Sequence, residues 1–309
     1  MDLWLIILIA GLGLIAFFFI VLFIVYLFVF YSPLPGQMSD KKFKNLPQNA
    51  GYEKIFIEMI TALMEIPYEE AYINSFDNLK LYAKVYKNKS SNKVAILCHG
   101  FRATGYRDFA GIAKGLIDEG LNVILIDQRA HGKSQGHSIT FGIKEVKDVL
   151  GWIKYARKEF GEDKQIILMG FSMGGATVLN LANKVRDDTI IIADSPYCSP
   201  REIMKTSIKS VKLPASILYP IVNLSSIVFA RTNLNQLDAY EAIKNTKCKI
   251  LIIHGTNDRI VPHVLSQKLA ETYKEKIKYE LFEGAKHGVS YLRDIERYQK
   301  VVINFVNKD

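Results

Sequence analysis

The chain has 309 residues, a formal net charge of +9 and 49% hydrophobic residues, which is too apolar for a disordered chain and long enough for one large domain. The positive charge forms no dense Lys/Arg stripe interleaved with aromatics, so nucleic acid is not an expected partner; beside a membrane, such a charge meets anionic lipid. Cys98, Cys198 and Cys248 are scattered without metal-ligand spacing, giving no disulfide framework, in keeping with a reducing compartment.

Leu3 to Tyr31 contains no charged residue. As a helix it would reach about 43 Å, more than the roughly 30 Å hydrocarbon core of a bilayer. A cleaved signal peptide competes with this reading, but it needs a shorter apolar region, a basic start and a small-residue cleavage site. Here Met1-Asp2 precedes the run and Phe30-Tyr31-Ser32-Pro33 ends it, which favours an uncleaved anchor. Trp4, Tyr26 and Tyr31 suit the two interfaces. Lys41, Lys42 and Lys44 follow the run and no Lys or Arg precedes it, so the positive-inside rule puts the following domain in the cytoplasm. Residues 32–51, with Pro33, Pro35, Gly36 and Pro47, read as a linker.

Tyr52 to Met64 has helical apolar spacing. Ala71–Phe76 and Leu79–Tyr86 read as paired strands around Asp77-Asn78, and the second alternates like an edge strand. From Lys93 the rhythm becomes strand, helix, strand. Strands are expected at Lys93–Leu97, Leu121–Ile126, Lys164–Met169, Thr189–Ala193, Lys249–Ile253 and Lys278–Phe282. Helices are expected at Ala110–Glu119, Ile143–Phe160, Gly175 to about Val185, Val264–Tyr273 and Tyr291–Val306. Such alternation predicts a mostly parallel sheet flanked by helices, with ligands at the C-terminal strand ends. Residues 200–248 are too long for a simple connection and read as a small helical cap over the site; a crossover helix with a long loop is the other reading.

Gly170-Phe171-Ser172-Met173-Gly174 is a G-x-S-x-G sequence between a strand and a helix. That context holds Ser172 on a sharp elbow, with the N–H of Met173 at a helix N-terminus. A Ser hydroxyl needs a base to take its proton and an acid to orient that base, in the chain order Ser, acid, His. His287 comes late enough, in a loop directly after a strand. Asp258, in His254-Gly255-Thr256-Asn257-Asp258, is the favoured acid, and Asp194 competes with it. The N–H groups of Phe101 and Met173 are the expected oxyanion donors. His99, His131 and His254 read as structural turn residues, and no metal is expected.

His99-Gly100-Phe101, Asp127-x-Arg129-x-His131-Gly132-x-Ser134-x-Gly136, the Ser172 elbow, His254-Gly255-x-x-Asp258-x-x-Val261-Pro262 and His287 occur in order. With these motifs the chain resembles an α/β-hydrolase over about residues 70–309. Asp194-Ser195-Pro196-Tyr197, Leu237-x-Ala239-Tyr240-Glu241-Ala242 and His287-Gly288-Val289-Ser290-Tyr291 are similar to the bacterial, often membrane-anchored YqkD-like serine hydrolases. The resemblance implies ester-type hydrolysis with Ser172 as nucleophile, His287 as base and Asp258 as acid; it does not supply a substrate. No cofactor is expected. The expected organisation is an anchor at 1–31, a linker at 32–51, and a hydrolase domain at 52–309 with its cap at about 200–248. A small ester, acyl or lipid-like, is the expected substrate. Peptidase, thioesterase or acyltransferase use of the same residues, and a non-catalytic membrane-tethered binding protein, are the alternatives.

Overall fold

The computed structural model describes residues 2–32 and 51–308. The expected linker therefore lies outside the described residues except at its two ends, as do Lys41, Lys42 and Lys44. Helix α1 (Leu3–Val29) has a mean hydropathy of 3.2 over its best window, and is long and apolar enough to cross a membrane by length and composition.

The sheet has eight strands: β1 (Glu69–Asn74), β2 (Lys80–Tyr86), β3 (Lys93–Cys98), β4 (Asn122–Asp127), β5 (Gln165–Phe171), β6 (Ile190–Asp194), β7 (Lys249–Gly255) and β8 (Ile277–Phe282). Their spatial order is β1-β2-β4-β3-β5-β6-β7-β8. The β1–β2 and β2–β4 pairs are antiparallel and all others parallel. The parallel strands read as unbroken apolar runs because helices cover both faces. Along β3 the side chains alternate: Val94, Ile96 and Cys98 join the core on one face, Ala95 and Leu97 the core on the other. Against the second face lie α2 (Glu53–Met64) and α3 (Gly105–Asp118), with the closing helix, which Asp294 splits into α10 (Ser290–Arg293) and α11 (Ile295–Asn307). Asp294 accepts a hydrogen bond from the Arg297 N–H at 3.0 Å, and this cap starts a new helix inside the single expected one.

The first face carries α4 (Glu145–Phe160), α5 (Met173–Leu179), α8 (Ala239–Lys244) and α9 (His263–Thr272). Helix α5 is shorter than expected. Asn180 ends it, and its side-chain amide turns back to the Ala176 carbonyl at 2.9 Å. Between β6 and β7 the chain forms α6 (Pro200–Ser210), α7 (Ala215–Ser225) and a π-helical turn (Ser226–Ala230) before α8. Ser199 caps α6 by accepting from Glu202 N–H. Ile203, Met204 and Tyr219 of this cap share a core with Met173, Phe141 and Tyr197, and also with Tyr26 and Phe30 at the end of α1. The apolar helix is thus not merely joined to the domain in sequence; its last turns pack on it.

Candidate active site

Ser172 stands between β5 and α5, as the N-cap of the helix, with φ +52° and ψ −109°, a positive φ that a non-glycine residue adopts only when the surroundings force it. The forcing is local. A Cβ on Gly170 would lie 2.1 Å from the Gly174 carbonyl oxygen, and one on Gly174 would lie 1.8 Å from that of Cys98. Strand and helix approach so closely that only glycine fits at both places. The elbow is tied down by Ser172 N–H, which donates to the Asp194 carbonyl at 2.8 Å.

From this elbow the Ser172 hydroxyl lies 3.1 Å from His287 Nε2, and His287 Nδ1 lies 2.7 Å from Asp258 Oδ2. Three loops, each following a different strand, therefore converge on one hydrogen-bonded row. The other Asp258 oxygen accepts from the N–H groups of Ile260 and Val261 at 2.9 and 2.8 Å. His254, whose side chain is buried, stands behind the acid, with Nε2 at 3.2 Å from Asp258 Oδ2. Burial pushes the Asp258 carboxyl up, but the contacts with His254 and His287 outweigh it and hold the group well below the usual carboxylate range. Asp258 thus stands beside His287 as a carboxylate, able to accept the imidazole Nδ1–H.

Asp194, the competing acid, also lines the cavity at Ser172, but its carboxylate is held by other partners. Its two oxygens accept from Tyr298 OH and Ser195 Oγ, both at 2.8 Å, and burial raises its carboxyl. It braces α11 against the end of β6. The preference for Asp258 has its physical reason in the pairing of β7 with β8, which places Gly255 opposite Phe282 and so brings their following loops together.

The N–H groups of Phe101 and Met173 sit at the ends of β3 and β5, which pair in parallel with Cys98 opposite Gly170. Among the described residues neither N–H donates to a protein acceptor. The loop holding Phe101 is fixed by buried groups. Gly100 N–H donates to Asp108 Oδ2 at 2.7 Å, Arg102 N–H to His131 Nε2 at 2.9 Å, and Gln128 N–H to His99 Nε2 at 3.1 Å. In each imidazole, Nδ1 faces a backbone carbonyl, which fixes the tautomer with the proton on Nδ1. Burial lowers His99 to about 4 and His131 to about 3, so both stay neutral acceptors at pH 7. Burial pushes Asp108 up to about 6, against the opposing pull of the Gly100 N–H and Arg107. Sequence reasoning gave His99 and His131 a structural place but missed Asp108, which belongs to no motif and reaches the loop from the first turn of α3.

A cavity of about 280 Å³ opens at Ser172 and His287. Its apolar wall includes Phe56 and Met59 from α2, Ile112 from α3, and Phe171, Tyr291 and Leu292. No residue of the 200–248 segment lines this cavity. The cap packs on the Met173 and Phe101 side, where Tyr197, Ile203 and Tyr219 cluster with Phe141. Among the described residues no cluster of His, Cys, Asp and Glu could hold a metal ion.

A family model described as "Serine aminopeptidase, S33" matches residues 89–242. The uncharacterized protein YqkD of Bacillus subtilis is 24% identical over 215 residues, covering 69% of this chain and 70% of that protein. Lysophosphatidylserine lipase ABHD12 of Danio rerio is 26% identical over 189 residues, 59% of this chain and 47% of that protein. The structure of the Pyrococcus furiosus esterase Pf2001 superposes with a TM-score of 0.66 at 27% identity, covering 80% of this chain and 93% of the esterase. A mostly parallel eight-stranded sheet, a serine elbow and relatives of this kind agree, and the chain belongs to the α/β-hydrolase superfamily, with hydrolysis as its general chemistry.

Proposed function

We propose that the protein is a serine hydrolase that cleaves a carboxylic ester, acyl or lipid-like, through an acyl-enzyme. The observation that carries this reading is the row Asp258–His287–Ser172, with distances of 2.7 and 3.1 Å, ending on a strained elbow between two backbone donors. Ser172 Oγ attacks the ester carbonyl while His287 Nε2 takes its proton. Asp258 stabilises the imidazolium, and the N–H groups of Phe101 and Met173 hold the oxyanion. On collapse, His287 returns the proton to the leaving alcohol. Water then enters, His287 takes one of its protons, and attack on the acyl-enzyme releases the acid and restores Ser172.

The apolar walls from α2, α3 and α10 support an acyl group, as do the names of the esterase and lipase relatives. α1 anchors the protein in a membrane, and the three lysines that follow it favour a cytoplasmic domain. A second reading, an aminopeptidase, is favoured by the description of the matching family. Against it, the acids lining the cavity are engaged: Asp194 by Tyr298 and Ser195, Asp108 by Gly100 N–H. Each is thus tied to groups of the protein itself.

A fluorophosphonate probe tests the nucleophile. Wild type labels and Ser172→Ala, still folded by circular dichroism, does not. A folded wild type that resists the probe, or a Ser172→Ala protein with full esterase activity, overturns the reading. A panel of esters, thioesters, amino-acid amides and amine acceptors then separates esterase from thioesterase, peptidase and acyltransferase.

A further inference from the structure

The cap carries apolar side chains that the domain does not cover. Ile217, Leu224, Ile227 and Val228 are 64%, 37%, 42% and 38% exposed. Ile217, half-buried Ile221, Leu224 and Val228 follow one another at helical spacing and so form a stripe along α7 and its π-helical extension. The turn before α7 adds exposed Val211 and Leu213.

This stripe is joined to α1. Leu22, Tyr26 and Phe30 form an i, i+4, i+8 row that is buried on the domain. Ser225 Oγ donates to the Leu22 carbonyl at 2.7 Å, and Phe229 packs its ring on Phe23 and Tyr26 at 5.3 and 5.6 Å. Below this row, Leu3 to Ile20 is exposed on every side. That bare length corresponds to about 27 Å of helix, close to the thickness of a hydrocarbon core. From Leu22 to the helix end is a further 10 Å or so, about the depth to which interfacial helices sink into the headgroup and acyl boundary.

Charge agrees with this placement. Between Ser199 and Leu237 the ionisable groups are Arg201, Lys205, Lys209, Lys212 and Arg231 against Glu202, five positive and one negative. All five basic residues are exposed, whereas Glu202 is half-buried and accepts the Cys198 N–H at 3.0 Å.

We infer that the apolar face of α7 and its π-helical extension is a bilayer-contact surface, with Ile217, Leu224, Ile227 and Val228 in the lipid and the basic residues of α6 and its following turn at anionic headgroups. The inference rests on α1 spanning the bilayer. Cap and anchor then form one membrane-bound unit, and the domain sits on the lipid in a fixed orientation. The link reaches the site, because Phe30 packs edge-on to Phe141 at 5.8 Å and Phe141 stacks on Phe101 at 5.0 Å. Arg102, the next residue, donates to the carbonyls of Phe28 and Tyr31 at 3.0 and 3.1 Å and so closes the end of α1.

The test uses the full chain in phosphatidylcholine vesicles with phosphatidylserine, carrying a polarity-sensitive dye on one introduced cysteine. The native Cys98, Cys198 and Cys248 are buried, so exposed sites label selectively. Four variants are compared: Ile227→Cys and Ile217→Cys on the cap, Leu8→Cys in α1, and Lys158→Cys on α4 at the opposite end of the sheet. Shallow spin-labelled lipid is expected to quench the two cap dyes at least about threefold more than the Lys158→Cys dye, and deep spin-labelled lipid to quench the Leu8→Cys dye. Quenching at Ile217→Cys is expected to fall when phosphatidylserine is left out, and undiminished quenching overturns the headgroup assignment. Cap dyes that behave like the Lys158→Cys dye while Leu8→Cys is quenched overturn the bilayer contact and leave the anchor; in that outcome the stripe serves another protein or a second copy. An unquenched Leu8→Cys dye overturns the anchor itself.

Discussion

Asp258 does more than face His287. It accepts from two backbone N–H groups, contacts His254, and keeps its charge despite burial. Under the proposed mechanism Asp258→Asn leaves the imidazole without the acceptor that fixes its tautomer. Steady-state kinetics on a p-nitrophenyl ester should show kcat lower by about 10⁴-fold with a small change in KM. The same carboxylate enters the pH dependence of stability. Its folded pKa lies below its ordinary value of 3.8, so it contributes stability above that pH, which is lost as pH falls below it. Urea unfolding should therefore separate wild type from Asp258→Asn by more at pH 7 than at pH 3. The elbow at Ser172 was legible in the sequence because its cause is local, two glycines flanking a serine between a strand and a helix. Asp108 was not, because its role depends on α3 folding back over the Phe101 loop.

Among the elements, the β1–β2 hairpin and α4 are clamped by one side chain. Arg129, buried in the turn after β4, donates to Asp148 on α4 at 2.6 and 2.7 Å and to Asp77 in the hairpin turn at 3.0 and 3.1 Å. Removing the buried acid leaves a guanidinium that water cannot reach, a loss of about 3 kcal/mol or more. Asp148→Asn should lower the urea midpoint accordingly, while Asp77→Asn, at the half-exposed end of the network, should cost about 1 kcal/mol because water screens it. Equal costs for the two would place the clamp elsewhere. Strand and helix order could be read from alternating apolar runs. The break in the closing helix and the early end of α5 depend on capping by Asp294 and Asn180, which periodicity does not report.

For the whole molecule, the question is whether α1 is a tether or a part of the fold. Phe30 is fully buried against Phe141, whereas Phe28, two residues earlier, is 76% exposed. Phe30→Ala should destabilise the domain by about 3 kcal/mol, read as a lower unfolding midpoint of the full chain in detergent, with Phe28→Ala unchanged. A simple tether would leave both midpoints where they are.

What the sequence by itself determined was whatever is written in near neighbours: the apolar first helix, the alternating sheet, the serine elbow, and the strand-end loops that hold His287, Asp258 and Phe101. The tertiary structure decided the rest. Asp194 ends β6 and Asp258 follows β7, and the parallel pairing of β7 with β8 brings Asp258 to the histidine. For the cap, length and apolar content are all that sequence displays. The structure packs it against Phe141, Met173 and the end of α1, while α2 contributes Phe56 and Met59 to the cavity wall. Periodicity records which face of a helix is apolar, but the partner of that face is fixed only when distant segments of the chain compete to cover it.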